Sequence, residues 1–199
     1  MTLEADVWAE SHWRDRKETK LNKALKEVLN TSVYILVVLI LTYCVVTFVG
    51  QRTEVIGSSM EPTLSDGDNL IVDKITYRMR EPKRFDIIVF PYQYTEGTYY
   101  IKRIIGLPGE TVQIDEAGRI YIDGEVLSEH YGKEVMTDPG LAGKGITLAE
   151  DEYFVLGDNR NDSADSRFVS VGNIKKSQIV GRAWMRMYPF DKFGILKHE

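Results

Sequence analysis

Three short segments carry residue types that could cut a peptide bond. The first is Gly57-Ser58-Ser59-Met60-Glu61-Pro62-Thr63-Leu64. Pro62 fixes its own φ and pushes Glu61 towards an extended conformation, so the chain after Ser59 cannot easily run on as a helix. Gly57 permits a sharp approach from the other side. Ser59 is therefore expected on a rigid loop. A serine hydroxyl is a poor nucleophile until a neighbouring base takes its proton. Histidine is the usual base, but the three histidines are scattered. His12 precedes a long apolar run, His198 is penultimate, and His130, between Glu129 and Tyr131, reads as a surface residue.

The second segment offers a lysine instead: Tyr99-Tyr100-Ile101-Lys102-Arg103-Ile104-Ile105-Gly106-Leu107-Pro108-Gly109. Strict alternation along a strand puts Tyr100, Lys102 and Ile104 on one face, so Lys102 points where apolar side chains point. Burial disfavours the ammonium and lowers the lysine pKa, and a neutral amine is a competent general base. Taken alone, Lys102 reads equally as an edge-strand charge that blocks aggregation. The third segment, Gly157 to Arg167 (Gly-Asp-Asn-Arg-Asn-Asp-Ser-Ala-Asp-Ser-Arg), follows the apolar stretch Tyr153 to Leu156. Its composition indicates a hydrogen-bonded loop. It is either a solvated turn or a polar network that orients Lys102 and holds backbone donors in place.

The elements that must position these residues begin with an apolar run. Val28 to Gly50 contains no charged residue, and roughly twenty residues at ~1.5 Å each cross a ~30 Å hydrocarbon core. Thr47-Phe48-Val49-Gly50-Gln51 lacks a small-x-small cleavage site, which favours a retained anchor over a signal peptide. Arg14, Arg16, Lys17, Lys20, Lys23 and Lys26 precede the run, while only Arg52 follows it closely. The positive-inside rule then places the N-terminus in the cytoplasm and the rest outside. Residues 14–28 form either an amphipathic helix leading into the span or a solvated charged lead-in. The expected organisation is a cytoplasmic segment over 1–28, an anchor over 29–50 and an extracytoplasmic catalytic domain over 51–199, with a small subdomain inserted at about 115–150.

The outer part reads as mostly β. Strands are expected over 69–74, 86–90, 98–105, 111–114, 119–122, 153–156 and 179–188, all rich in Val, Ile, Tyr and Phe. Glu116-Ala117-Gly118 and Asp123-Gly124 read as hairpin turns, and Asp138 to Gly145 as an exposed loop. The architecture that fits is a set of curved antiparallel sheets or a partly open barrel, with one N-terminal transmembrane helix. The only cysteine, Cys44, lies in the apolar run, so the exported part has neither a disulfide nor a cysteine-based zinc site. No His-Glu-x-x-His pattern occurs, and no metal or cofactor is expected. A pI near 5.4, with no basic stripe, argues against a nucleic-acid partner.

Together these segments closely resemble the type I signal peptidases, membrane-bound serine proteases that remove signal peptides from exported proteins. The resemblance runs in order through the anchor, Ser59-Met60-Glu61-Pro62-Thr63-Leu64, Arg84-Phe85-Asp86-Ile87-Ile88-Val89-Phe90, Tyr100-Ile101-Lys102-Arg103 through Pro108-Gly109-Glu110, and Gly157 to Arg167. The single anchor and short chain look like the compact Gram-positive form. The resemblance implies that Ser59 is the acylating nucleophile, Lys102 the general base and Ser163 the hydroxyl that hydrogen-bonds and positions the lysine amine. It also implies that the Ser59 N–H contributes to the oxyanion hole. Asp165, Arg167 and Arg103 match a supporting ion-pair network. Met60 and Pro62 match positions that shape the nucleophile loop, with Met60 expected to contribute to substrate binding.

Three positions depart from the family pattern. Phe85 stands in place of a common glycine, and Glu110 in place of an aspartate; both substitutions are expected to affect packing only. Gly57 stands where some members carry a serine that completes the oxyanion hole. The second donor is then a backbone N–H around Gly57 or Ser58, or is supplied differently. Ser59 lies nine positions after Gly50, at most ~30 Å of extended chain, which would confine the site close to the outer membrane face. The expected substrates are signal peptides of preproteins, bound extended and cut after Ala-x-Ala-like sequences, with membrane lipid and the secretion translocon as further partners. The alternatives are a self-cleaving Ser/Lys protease like the SOS repressors, or a non-catalytic exported β domain that binds secreted chains.

Overall fold

The computed structural model describes the backbone of residues 3–44 and 50–196, and the side chains of 23–43 and 50–196. The chain divides into two compact units, Met1–Thr47 and Phe48–Glu199.

The first unit is one helix, α1, over Leu3–Cys44. Its stretch Lys23–Tyr43 has a mean hydropathy of 1.8 over 21 residues, and its side chains are all exposed. At ~1.5 Å per residue this segment is long and apolar enough to cross a bilayer core. The expected anchor over 29–50 falls on this helix as far as Cys44. Residues 45–49 lie outside the described residues, as does His198, and the side chains of residues 1–22 are likewise not described, His12 among them.

The second unit is built on antiparallel strands. β1 (Gly50–Glu54), β2 (Asn69–Asp73), β3 (Ile87–Pro91), β4 (Tyr99–Gly106), β5 (Thr111–Ile114), β6 (Ile120–Ile122), β7 (Glu125–Val126), β8 (Ile146–Thr147), β9 (Glu152–Leu156), β10 (Ile174–Lys175), β11 (Gly181–Tyr188) and β12 (Gly194–Ile195) make two sheets. The larger follows the order β1-β2-β11-β3-β4-β9-β10, with β12 on β11, and the smaller the order β7-β6-β5-β8. Both are open paths of antiparallel pairs, the mostly β architecture that the short apolar runs indicate.

The seven expected strands are present to within a few residues. The five others are β1, whose Gly-Gln-Arg-Thr-Glu sequence has no apolar residue, and the two-residue β7, β8, β10 and β12. Such segments pair because a neighbouring edge is available, a tertiary cause with no periodic signature. A single helical turn, α2 (Thr76–Met79), is also absent from the sequence expectation. The expected hairpin turns are present: Asp115 N–H donates to Arg119 O at 3.0 Å, and Asp123 and Gly124 both have positive φ. The expected exposed loop at Asp138 to Gly145 is largely exposed, but it contains a 3-10 turn over Gly140–Lys144 that buries Ala142 completely. Ala142 joins Ile105, Val112, Ile114, Phe154 and Leu156 in one apolar cluster, which holds the segment down.

Strands β3, β4 and β9 are apolar on both faces. Ile87 packs with Val55, Met60, Leu64 and Leu70, while its neighbour Ile88 packs with Phe90, Ile104 and Val155. A strand buried on both faces is held in register from two sides. Lys102, directly opposite Ile88 in the β3–β4 pair, is therefore placed by rigid neighbours.

Candidate active site

The loop that carries Ser59 leaves β1 at Glu54 and returns to β2 at Asn69. Val55 N–H donates to Asp68 O at 2.8 Å and Gly67 N–H donates to Val55 O at 2.9 Å, closing its base. Gly57 has φ +95°, and a Cβ there would meet nothing within 4 Å, so conformation and not space calls for glycine. From Ser58 the chain makes one tight turn: Glu61 N–H donates to Ser58 O at 3.0 Å and Leu64 N–H donates to Met60 O at 2.9 Å. Met60 and Leu64 anchor it from below, 1% and 0% exposed. This leaves Ser59 at the top of a turn that is buried underneath.

Lys102 on β4 is 3% exposed. Its Nζ donates to Ser59 Oγ at 2.8 Å and to Ile101 O at 3.0 Å, and it stands 5.0 Å from the centre of the Tyr100 ring. Burial lowers its pKa from the ordinary 10.5 to about 8, against the opposing pull of the Asp165 and Asp158 carboxylates, which favour the ammonium. An amine with that pKa has a neutral minority near physiological pH that becomes the main form above about 8, and it lies within proton-transfer distance of a hydroxyl.

The Gly157–Arg167 segment wraps the back of this pair. A Cβ on Gly157 would overlap Ser163 Oγ and lie 2.5 Å from Ser59 O, so only glycine lets the loop pass. Asn159 N–H donates to Ser59 O at 3.0 Å, and Asn159 Nδ2 to Ser58 O at 3.2 Å. Ser58 Oγ donates to Asp162 Oδ2 at 2.5 Å. Beneath lie two buried ion pairs. Arg103 grips Asp158 with two bonds of 2.9 and 2.7 Å, and Arg167 grips Asp165 with two of 2.8 Å. Arg103 also reaches Thr63 Oγ1 at 3.3 Å and is covered by the Tyr131 ring 3.7 Å away, while Asp165 Oδ2 accepts the Gly157 N–H at 3.1 Å.

Several expected residues thus converge: Ser59 with Lys102, and Gly57, Ser58, Arg103, Asp165 and Arg167 around them. Others sit differently. Ser163 Oγ is buried beside Gly157 and has no hydrogen-bond partner among the described residues, so the expected bond to Lys102 is not formed. Arg103 pairs with Asp158, outside the expected Arg103/Asp165/Arg167 set. Met60 is a core residue beneath Ser59. The Gly57 N–H is occupied by Asp66 Oδ1 at 2.7 Å. Phe85 does more than alter packing: it holds φ +71°, a left-handed conformation uncommon outside glycine. Glu110 forms a two-pronged pair with Arg84 and also accepts the Leu107 N–H at 2.8 Å. His130 is exposed, as expected. Asp66, Asp158, Asn159 and Asp162 are site residues that spacing did not mark, because their partners are distant in sequence or are backbone atoms.

A groove of about 650 Å³ runs past Ser59. One wall is Thr53 to Ser59, the other Gly97 to Lys102, with Asp162 and Ala164 at one end. Both walls carry free strand edges among the described residues. β1 pairs only with β2, and β4 pairs with β9 only from Arg103 onward.

The sequence pattern described as "Signal peptidase, peptidase S26" matches residues 27–188. This chain belongs to the signal peptidase family. It is 39% identical over 158 residues to probable signal peptidase I-2 of Synechocystis, covering 77% of this chain and 70% of that protein. It is 41% identical over 157 residues to signal peptidase I of Leptolyngbya laminosa, covering 75% and 74%. It is 34% identical over 194 residues to signal peptidase I T of Bacillus subtilis, covering 92% and 99%. A crystal structure of an Enterococcus faecalis signal peptidase I aligns at 39% identity with a TM-score of 0.44, covering 52% of this chain and 97% of that one. As a signal peptidase of this family the chain is a serine peptidase, a hydrolase whose activity is signal-peptide removal.

Proposed function

We propose that signal peptides are cut here by Ser59 acting with Lys102. The observation that carries this is the 2.8 Å contact between Lys102 Nζ and Ser59 Oγ in a site that lowers the lysine pKa. The neutral amine takes the hydroxyl proton as Oγ attacks the scissile carbonyl carbon. The carbonyl oxygen becomes an oxyanion that the Ser59 N–H stabilises; that N–H donates to no group among the described residues. The Lys102 ammonium then gives its proton to the leaving amine, and the C–N bond breaks to leave an acyl ester on Ser59. Water, deprotonated by Lys102, attacks that ester, and Ser59 regains its proton as the signal peptide leaves. Ser163 is assigned as the orienting hydroxyl for the lysine, a bond that is not formed in this structure and that this reading has close in the substrate complex.

The substrate lies extended in the groove between the two free strand edges, pairing its backbone with one or both. Shallow subsites along the groove accept small residues before the cut, hence Ala-x-Ala-like sites. Residues 29–50 anchor the enzyme in the plasma membrane, with 1–28 in the cytoplasm and the catalytic domain 51–199, including the insertion at about 115–150, outside. Membrane lipid and the translocon are its neighbours there. The test is preprotein cleavage by wild type and Ser59→Ala, with substrates carrying small or large residues at the two small positions. Processing by Ser59→Ala, or equal cutting of large-residue sites, would overturn the proposal.

A further inference from the structure

The peptide units around Ser59 are held by named groups, and each hold decides where an N–H points. In a trans peptide the carbonyl of one residue and the N–H of the next point in opposite directions. The Ser58–Ser59 bond is trans. Its carbonyl is drawn to Asn159 Nδ2 at 3.2 Å, so the Ser59 N–H points away from Asn159. The preceding Gly57 N–H is directed elsewhere, into Asp66 Oδ1 at 2.7 Å. The Asn159 backbone N–H fixes the next carbonyl, Ser59 O, at 3.0 Å. Asn159 is 7% exposed, and it follows Asp158, whose carboxylate is locked in the Arg103 pair. It therefore grips the nucleophile turn from a rigid base.

We infer that Asn159 is a positioning residue: through the Ser58 carbonyl, its side-chain amide aims the Ser59 N–H at the developing oxyanion. This rests on Ser59 being the nucleophile. Because the oxyanion is absent from the bound substrate and develops only as the tetrahedral intermediate forms, a misaimed donor costs kcat and leaves substrate binding alone. Because Asn159 acts through the backbone and not through Lys102, the pH at which activity rises stays put. The Asn159 backbone N–H survives any substitution, so the side chain is tested by itself.

The experiment compares wild type with Asn159→Ala and with Asn159→Asp, which keeps the size but loses the donor. The substrates are a signal-peptide segment and its analogue with a thioamide at the scissile bond. Sulfur is a poor acceptor, so wild type cleaves the thioamide more slowly. Removing one oxyanion donor costs about 10²–10³ in kcat. A misaimed donor is expected to cost about 10–100-fold, with KM and the pH midpoint unchanged and the oxygen-to-sulfur rate ratio reduced. Wild-type kcat in both variants, or a loss with the ratio intact, would overturn the inference. Thermal unfolding identifies a variant that has lost its structure, and the ratio is then read on the other. Cleavage by Ser59→Ala in the same assay would instead strike the nucleophile assignment.

Discussion

Gly157 and Ser59 are in backbone contact: a Cβ at position 157 would lie 2.5 Å from the Ser59 carbonyl oxygen. The Gly157 segment and the Ser59 turn therefore set one another's position. Any side chain at 157 must push the turn away or displace Ser163. Overpacking of this kind costs about 1–3 kcal/mol of stability, and a shift of about 1 Å in a reacting group can cost about 10²-fold in rate. Gly157→Ala is expected to keep a cooperative unfolding transition and lose about 100-fold in single-turnover cleavage. Thermal unfolding and a quenched single-turnover assay check both parts.

Lys102, as the proposed base, is expected to set the pH dependence. With its pKa near 8, lowered by burial, kcat/KM should climb with pH and level off above about 8. The same shift governs stability. Between about 8 and the ordinary 10.5, the unfolded chain holds a proton that the folded chain has released. Stability from this group therefore rises with pH across that window, and below it the fold carries a buried ammonium at a cost of about 3 kcal/mol. Lys102→Met is expected to be inactive yet more stable than wild type at pH 7, with the difference shrinking towards pH 10. Denaturant unfolding at the two pH values measures it.

The Arg103–Asp158 pair has both side chains fully buried. Removing one partner of such a pair leaves a charge without compensation and costs about 3–5 kcal/mol. Asp158→Ala should therefore fall well below wild type in unfolding midpoint, and Asp158→Ala with Arg103→Met should recover part of the loss. A double-mutant cycle by urea unfolding gives the coupling.

How much of this was legible follows from which interactions are local. Alternation in Tyr100-Ile101-Lys102 puts the lysine on the apolar face, because strand periodicity is a property of adjacent residues, but by itself it leaves an edge-strand charge equally open. Gly57 and Pro62 mark the tight turn at Ser59 for the same reason. The Arg103–Asp158 pairing, 55 residues apart in sequence, depends on β4 lying beside β9 and has no local sign. The grips of Asn159 and Asp66 on backbone atoms leave no residue-type signature at their targets. β1 escapes notice because it owes its strand form to the edge of β2 and not to its own composition.

Phe85 offers a backbone test. It holds φ +71° while its ring packs 5.0 Å from Tyr131 and against the apolar cluster of the small sheet. A left-handed conformation costs an L-residue about 1–2 kcal/mol that glycine avoids. Phe85→Ala loses the packing and keeps the strain, whereas Phe85→Gly loses the packing and relieves it. The glycine variant should therefore be the more stable of the two by about 1 kcal/mol, the reverse of the usual order. Paired urea melts decide the sign.

The central claim is that Ser59 is activated by the neutral amine of Lys102. It is tested most directly by single-turnover cleavage of a preprotein with Lys102→Arg, whose guanidinium stays protonated at every accessible pH. Near-wild-type folding with no cleavage between pH 6 and 10 is the predicted result. Cleavage by Lys102→Arg with a pH profile like that of wild type would contradict the account.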